Sequence, residues 1–202
     1  MKRMQQLLSI DPQSLTEWAE QAFRELSGIN RSPVKLASLL EKGLALRAQF
    51  GQELDCRVVW DQFSSFSLVE DCLTINGIPF ICTEFSHYQP WQIKRIYAYL
   101  LTGPSWQVED GVPTIELLLK TNWVSAYVMS AFKGLRQYFE QQISDGENLS
   151  VSFAPGFNGM NTDMIAGFFQ ILDGSAIGVT LVDQQIMVPL SSCVGLYLVI
   201  GE

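Results

Sequence analysis

Two short apolar runs, Cys72-Leu73-Thr74-Ile75 and Ile78-Pro79-Phe80-Ile81, are separated only by Asn76-Gly77. Both turn residues tolerate positive φ, so the pair closes a tight hairpin whose twist suits its strands. That hairpin brings antiparallel pairing into the fold and argues against a doubly wound parallel sheet. Pro79 has no N–H to give to a ladder, which puts a sheet edge near it.

Around this hairpin the sequence alternates helical and strand patterns. Asp11-Pro12 has the form of a helix opening, Asp as cap and Pro at the first helical position. Leu15, Trp18, Ala19, Ala22, Phe23 and Leu26 recur at helical spacing up to Gly28. Ser32-Pro33 repeats the opening, with Leu36, Leu39, Leu40, Leu44 and Leu46 behind it and Gly51 beyond the end. The first fifty residues are therefore expected to form two helices packed by apolar stripes. Strand character starts at Cys56 and runs through Val58, Val59, Trp60 and Phe63 to Phe66 and Leu68. Gln89-Pro90 predicts a helix with Trp91, Ile93, Ile96, Tyr97 and Leu100 as its apolar face, stopped by Gly103-Pro104. Val112-Pro113 predicts a long helix reaching about residue 143, with small residues at 125–131 that allow close packing. Strands at 151–153, 176–181 and 196–200 and a helix over 162–172 complete the chain.

The predicted fold class is α+β. A mixed or antiparallel twisted sheet, flanked by helices, is expected from segments near 56–60, 71–82, 149–153, 177–181 and 192–200, with an N-terminal helical segment over 1–52. At 202 residues the chain is read as a single domain, 1–202. Hydrophobic residues make up 48% and charged residues 17%, enough apolar surface for a packed core. A net charge of −8 without a basic face argues against a nucleic-acid partner. No clean apolar run reaches the length of a membrane span. Lys2 and Arg3 are followed by no long apolar core, so no signal peptide is read and a cytoplasmic location is expected. One histidine and four cysteines without metal-type spacing lead to no expected metal site, and the thiols are read as reduced.

The last third of the chain carries an ordered set of motifs. Ala154-Pro155-Gly156-Phe157 is followed by Phe168-Phe169-Gln170-Ile171-Leu172-Asp173, then by Ile177-Gly178-Val179-Thr180-Leu181. Met187-Val188-Pro189 and Ser192-Cys193-Val194-Gly195-Leu196-Tyr197 come next. In order and spacing this set resembles the reactivation, S-adenosylmethionine-binding domain of cobalamin-dependent methionine synthase and its small stand-alone relatives. The resemblance runs from about 151 to 200 and extends more weakly back to about 72, so 72–202 is read as the domain-like region. It implies that Ala154, Gly156 and Phe157 line the place of the adenosine, and that Tyr197 and position 152 face the methionine carboxylate. The family has Arg at 152 and Tyr at 157; this chain has Ser152 and Phe157. A hydrogen bond to a charged group contributes about 1.5–3 kcal/mol, so serine in place of arginine implies binding weaker by roughly ten- to hundredfold.

The function implied is an accessory role in corrinoid-dependent methyl transfer. S-adenosylmethionine is the implied cofactor, and cobalamin enters only through a partner, a corrinoid protein or corrinoid methyltransferase. No catalytic general acid or base is needed for that role, because the cofactor carries the chemistry. The alternative is a relative that has lost S-adenosylmethionine and serves as a protein-interaction or other small-ligand module. Ser86-His87 is read as incidental, since strand neighbours point to opposite faces. Glu84, Glu109, Asp110 and Glu147 are read as solvated loop acids. Trp91, Tyr97, Tyr99 and Trp106 are read as core packing rather than a pocket, and Cys193 as a buried apolar residue.

Overall fold

The structure is a computed structural model that describes residues 5–50, 55–104 and 111–201. Gly51, Trp106, Glu109, Asp110 and the basic N-terminus lie outside the described residues. The architecture is α+β, as expected. In chain order the strands are β1 (Gln6–Ile10), β2 (Cys56–Phe63), β3 (Phe66–Val69), β4 (Cys72–Ile75), β5 (Ile78–Ile81), β6 (Ile93–Thr102), β7 (Asn148–Leu149), β8 (Thr180–Val182), β9 (Ile186–Val188) and β10 (Ser192–Ile200). The α-helices are α1 (Thr16–Leu26), α2 (Ala37–Phe50), α3 (Thr114–Glu140) and α4 (Ile165–Ile171).

The strands form three sheets, not the one expected. The main sheet has the order β1-β2-β6-β10-β7, a second is β3-β4-β5, and β8-β9 is a hairpin. The Asn76-Gly77 hairpin forms as read, with Asn76 at φ 52° and Gly77 at φ 81°, and β5 with Pro79 is a sheet edge. It belongs, however, to the second sheet. Four other expectations change. Of the strand read over 176–181, Ala176 and Ile177 belong to a 3-10 turn, Gly174–Ile177, and the strand itself is the shorter β8. Gln6–Ile10 is a strand, so the N-terminal segment is not helical throughout. Both N-terminal helices start about a turn after their Asp-Pro and Ser-Pro openings, which are spent in turns such as Leu15 N–H to Pro12 O, 3.2 Å. The helix read over 91–100 is instead a short 3-10 turn at Pro90–Gln92 followed by the ten-residue strand β6.

The chain divides into two compact units: residues 1–8, 57–102 and 137–202, and residues 9–56 and 103–136. In the first, β6 lies between β2 and β10, paired antiparallel with both. Its even residues Ile96, Ala98 and Leu100 join Leu196 and Leu198 in a core with Phe63, Phe80, Phe153 and Phe168. Its odd residues Tyr97 and Tyr99 belong to an aromatic cluster on the other face. Tyr97 stacks on Phe139 at 4.7 Å, and Tyr99 on Tyr197 at 5.5 Å. In the second unit Phe23 stacks on Trp123, 4.0 Å between centroids and 5° between planes. Ala126 and Ala131 of α3 are fully buried there, which is the close packing that the small residues foretold.

Candidate functional site

The bend after Phe153 is built from two overlapping turns. Phe153 forms a two-bond bridge to Leu196 of β10, 2.9 Å each way, which fixes where the bend starts. Phe157 N–H donates to Ala154 O at 2.9 Å. With Pro155 in second place and Gly156 at φ 85° in third, this has the pattern of a type II turn, a conformation that glycine reaches without strain. Asn158 and Gly159 follow at φ 49° and 77°, and Met160 N–H donates to Phe157 O at 3.1 Å. Two successive positive φ values give the tighter, oppositely twisted turn. Gly156 N–H donates to Met160 O at 2.8 Å and closes the loop.

Neighbouring segments hold this loop in place. Thr83 N–H donates to Gly159 O at 3.3 Å, and the Cys82 thiol donates to Asn158 O at 2.9 Å. Burial raises the pKa of Cys82, so the sulfur stays a thiol and a donor. The Asn158 side-chain amide donates to Ser152 O at 2.7 Å. The segment 151–153 is not the strand expected; of its three residues only Phe153 pairs, in an isolated bridge.

The five residues expected at the site fall into two groups. Ala154 is half-buried, while Gly156 and Phe157 are exposed, with the Phe157 ring 71% open to solvent at the loop tip. Ser152 and Tyr197 lie below. The Ser152 hydroxyl is 2.6 Å from the Tyr99 hydroxyl, and Tyr197 is only 3% exposed, set between Tyr99 and the edge of Phe139. Burial pushes the Tyr99 pKa well up, with the nearby Tyr197 adding to it, so the phenol keeps its proton. Gly195 stands opposite Tyr99 in the β6–β10 register. A Cβ there would come within 2.5 Å of the Tyr99 hydroxyl and 2.9 Å of Phe153 O. Glycine at 195 is what lets the tyrosine pass under the strand to Ser152.

A groove of about 1010 Å³ in the same unit is lined by residues that include Gln5, Asp61, Asn76, Phe169, Asp173 and Thr180. None of the five expected site residues lines it. Sequence reasoning singled out Tyr99 only as core, and missed Asn158 and Cys82, because their roles depend on contacts between distant segments. The alternation of Tyr97 and Tyr99 with apolar residues was the one available signal for Tyr99.

The weaker candidates also resolve. Ser86 donates to Thr83 O at 2.7 Å, and His87, 71% exposed, contacts Glu84 at 3.2 Å, so the Ser–His pair is not a catalytic couple. Glu147 is not a solvated loop acid. Arg95 grips both its oxygens at 2.7 Å, and both side chains are mostly shielded. The Arg95 bonds, helped by the Ser144 amide, hold its carboxyl below the usual value. Trp91 is 72% exposed rather than core. Cys193 is half-buried and meets Leu101 O at 3.7 Å. None of the four cysteines is in a disulfide. Among the described residues no His, Cys, Asp and Glu side chains gather into a metal-binding group, and no helix is long and apolar enough to cross a membrane.

No known family profile matches the chain, and no curated protein matches it in sequence. Among solved structures it is similar to the crystal structure of the MetH reactivation domain bound to AdoHcy. The TM-score is 0.69 at 12% identity, covering 96% of this chain and 78% of that one. At that identity the likeness is one of fold.

Proposed function

We propose that this protein is an accessory protein of corrinoid-dependent methyl transfer, and that the bend at 154–157 takes the nucleoside end of S-adenosylmethionine or AdoHcy. The observation that supports it is the fold likeness to a domain solved with AdoHcy, together with a hydrogen-bonded loop at Ala154–Phe157 whose tip is exposed. In this reading the loop backbone and the exposed Phe157 ring hold the purine side. S-adenosylmethionine supplies the methyl group, and the protein's work is to bind and orient it for a corrinoid-protein partner. The β8–β9 hairpin and the turn after it expose Val182, Ile186, Val188 and Leu190, an apolar surface of the kind a protein partner covers.

The fit is unequal along the ligand. The nucleoside end meets a preformed bend, but the carboxylate end meets Ser152, whose hydroxyl is engaged by Tyr99, and a buried Tyr197. Weak binding follows. The same observation favours a second reading, in which the loop serves a different small ligand or a protein. Amide NMR shifts on adding AdoHcy separate the two. The first reading expects saturable shifts confined to residues 152–160 and 195–197. Shifts elsewhere, or none, overturn it.

A further inference from the structure

Arg47 of α2 has an unbalanced set of partners. Its Nε–H donates to the Tyr127 hydroxyl at 2.9 Å, and one Nη2–H to the Thr16 hydroxyl at 2.9 Å. Its guanidinium lies 5.5 Å from the centre of the Trp123 ring. That ring is fixed in turn by its N–H donating to Gly43 O at 2.8 Å and by the stack on Phe23. The remaining three N–H groups of the fork meet no acceptor and no carboxylate among the described residues. Tyr127 repeats the pattern. It is 1% exposed, its hydroxyl accepts from Arg47, and its own proton meets no acceptor among the described residues. A buried hydroxyl that accepts without donating is poised for an acceptor from outside.

These donors line one pocket of about 360 Å³. That is far more than the ~30 Å³ share of a single water and within the roughly 300–1,000 Å³ of small-molecule sites. Pro12, Leu44 and Ala48 give it an apolar wall, Gln13 and Thr16 complete the polar side, and no acidic residue among the described ones lines it. A planar fork with spare N–H groups matches a carboxylate in shape as well as in charge. With Arg47 the single cation among the described lining residues, the pocket neutralises one negative charge, not two. We propose that the pocket binds a small aliphatic monocarboxylate, its head group between Arg47 and Tyr127 and its chain against Pro12, Leu44 and Ala48. Every residue involved belongs to the second compact unit, and the proposal does not rest on the reading of the bend at 154–157.

Titrating the isotope-labelled full chain with sodium butyrate, while following the Trp123 indole N–H signal, tests this. Saturable shifts are expected with butyrate, and none with n-butanol or n-butylamine at the same concentrations. Tyr127→Phe keeps the ring and removes the donor, and is expected to weaken binding about tenfold or more. Arg47→Gln, checked for a dispersed native spectrum, is expected to abolish it. If Arg47→Gln does not fold, Tyr127→Phe alone decides. Non-saturable shifts with butyrate, equal shifts with butanol, or undiminished binding in Tyr127→Phe overturn the proposal. Tighter binding of inorganic phosphate than of butyrate overturns the monocarboxylate assignment.

Discussion

The hydroxyl oxygens of Tyr99 and Ser152 lie 2.6 Å apart, joining the central strand β6 to the residue where the resemblance calls for a ligand-gripping arginine. The tyrosine is fully buried, so its hydroxyl needs a polar partner within the fold. In this chain Ser152 supplies structure where the reactivation-domain pattern calls for charge.

Tyr99→Phe and Ser152→Ala are each expected to lower stability by about 1 kcal/mol. The double variant should lose clearly less than their sum, because both remove the same bond. Urea unfolding of the four proteins measures it. Additive losses would show that the two hydroxyls do not stabilise one another.

Two glycines near the bend should respond differently to alanine. Gly156 has room for a Cβ, whose nearest neighbour would be Thr162 Cγ2 at 3.7 Å, so only its φ of 85° resists the change. Gly156→Ala should cost about 1 kcal/mol. At Gly195 the Cβ meets the Tyr99 hydroxyl and the Phe153 carbonyl, and Gly195→Ala should cost more, about 1–3 kcal/mol. Thermal midpoints in that order are expected; the reverse order would mean that Tyr99 moves aside freely.

Glu147 makes stability depend on acid. Its pKa in the folded protein is held low, chiefly by Arg95, so its contribution is complete above the unfolded value of about 4.3. That contribution is lost as pH falls through the folded value. The gap in urea midpoint between the wild type and Glu147→Gln should therefore be widest near neutrality and narrow progressively below about pH 4. A gap that stays constant down to pH 2 would contradict the linkage.

What the sequence disclosed follows from locality. The Asn76-Gly77 hairpin, the long helix α3 and the Ala154–Phe157 turn are set by residues adjacent in the chain, and each was legible. Strand β6 was not. Both its faces are buried, so Ile93, Ile96, Tyr97 and Leu100 lose the alternation that marks a half-exposed strand and fall by chance on helical spacing. The strand Gln6–Ile10 is too short and too exposed to leave a period of its own. At the site, the turn could be read, but the tie from Ser152 to Tyr99 spans 53 positions and depends on the β6–β10 register. No local pattern records it.

In the function proposed above, the bend takes the nucleoside half of S-adenosylmethionine while Ser152 offers no charge to its carboxylate. Titration calorimetry of S-adenosylmethionine into the wild type and Ser152→Arg tests it most directly. Weak binding to the wild type is expected, with a gain in the variant of about 1.5–3 kcal/mol, the contribution of one hydrogen bond to a charged group. Tight wild-type binding that Ser152→Arg leaves unchanged, or no binding by either protein, would contradict it.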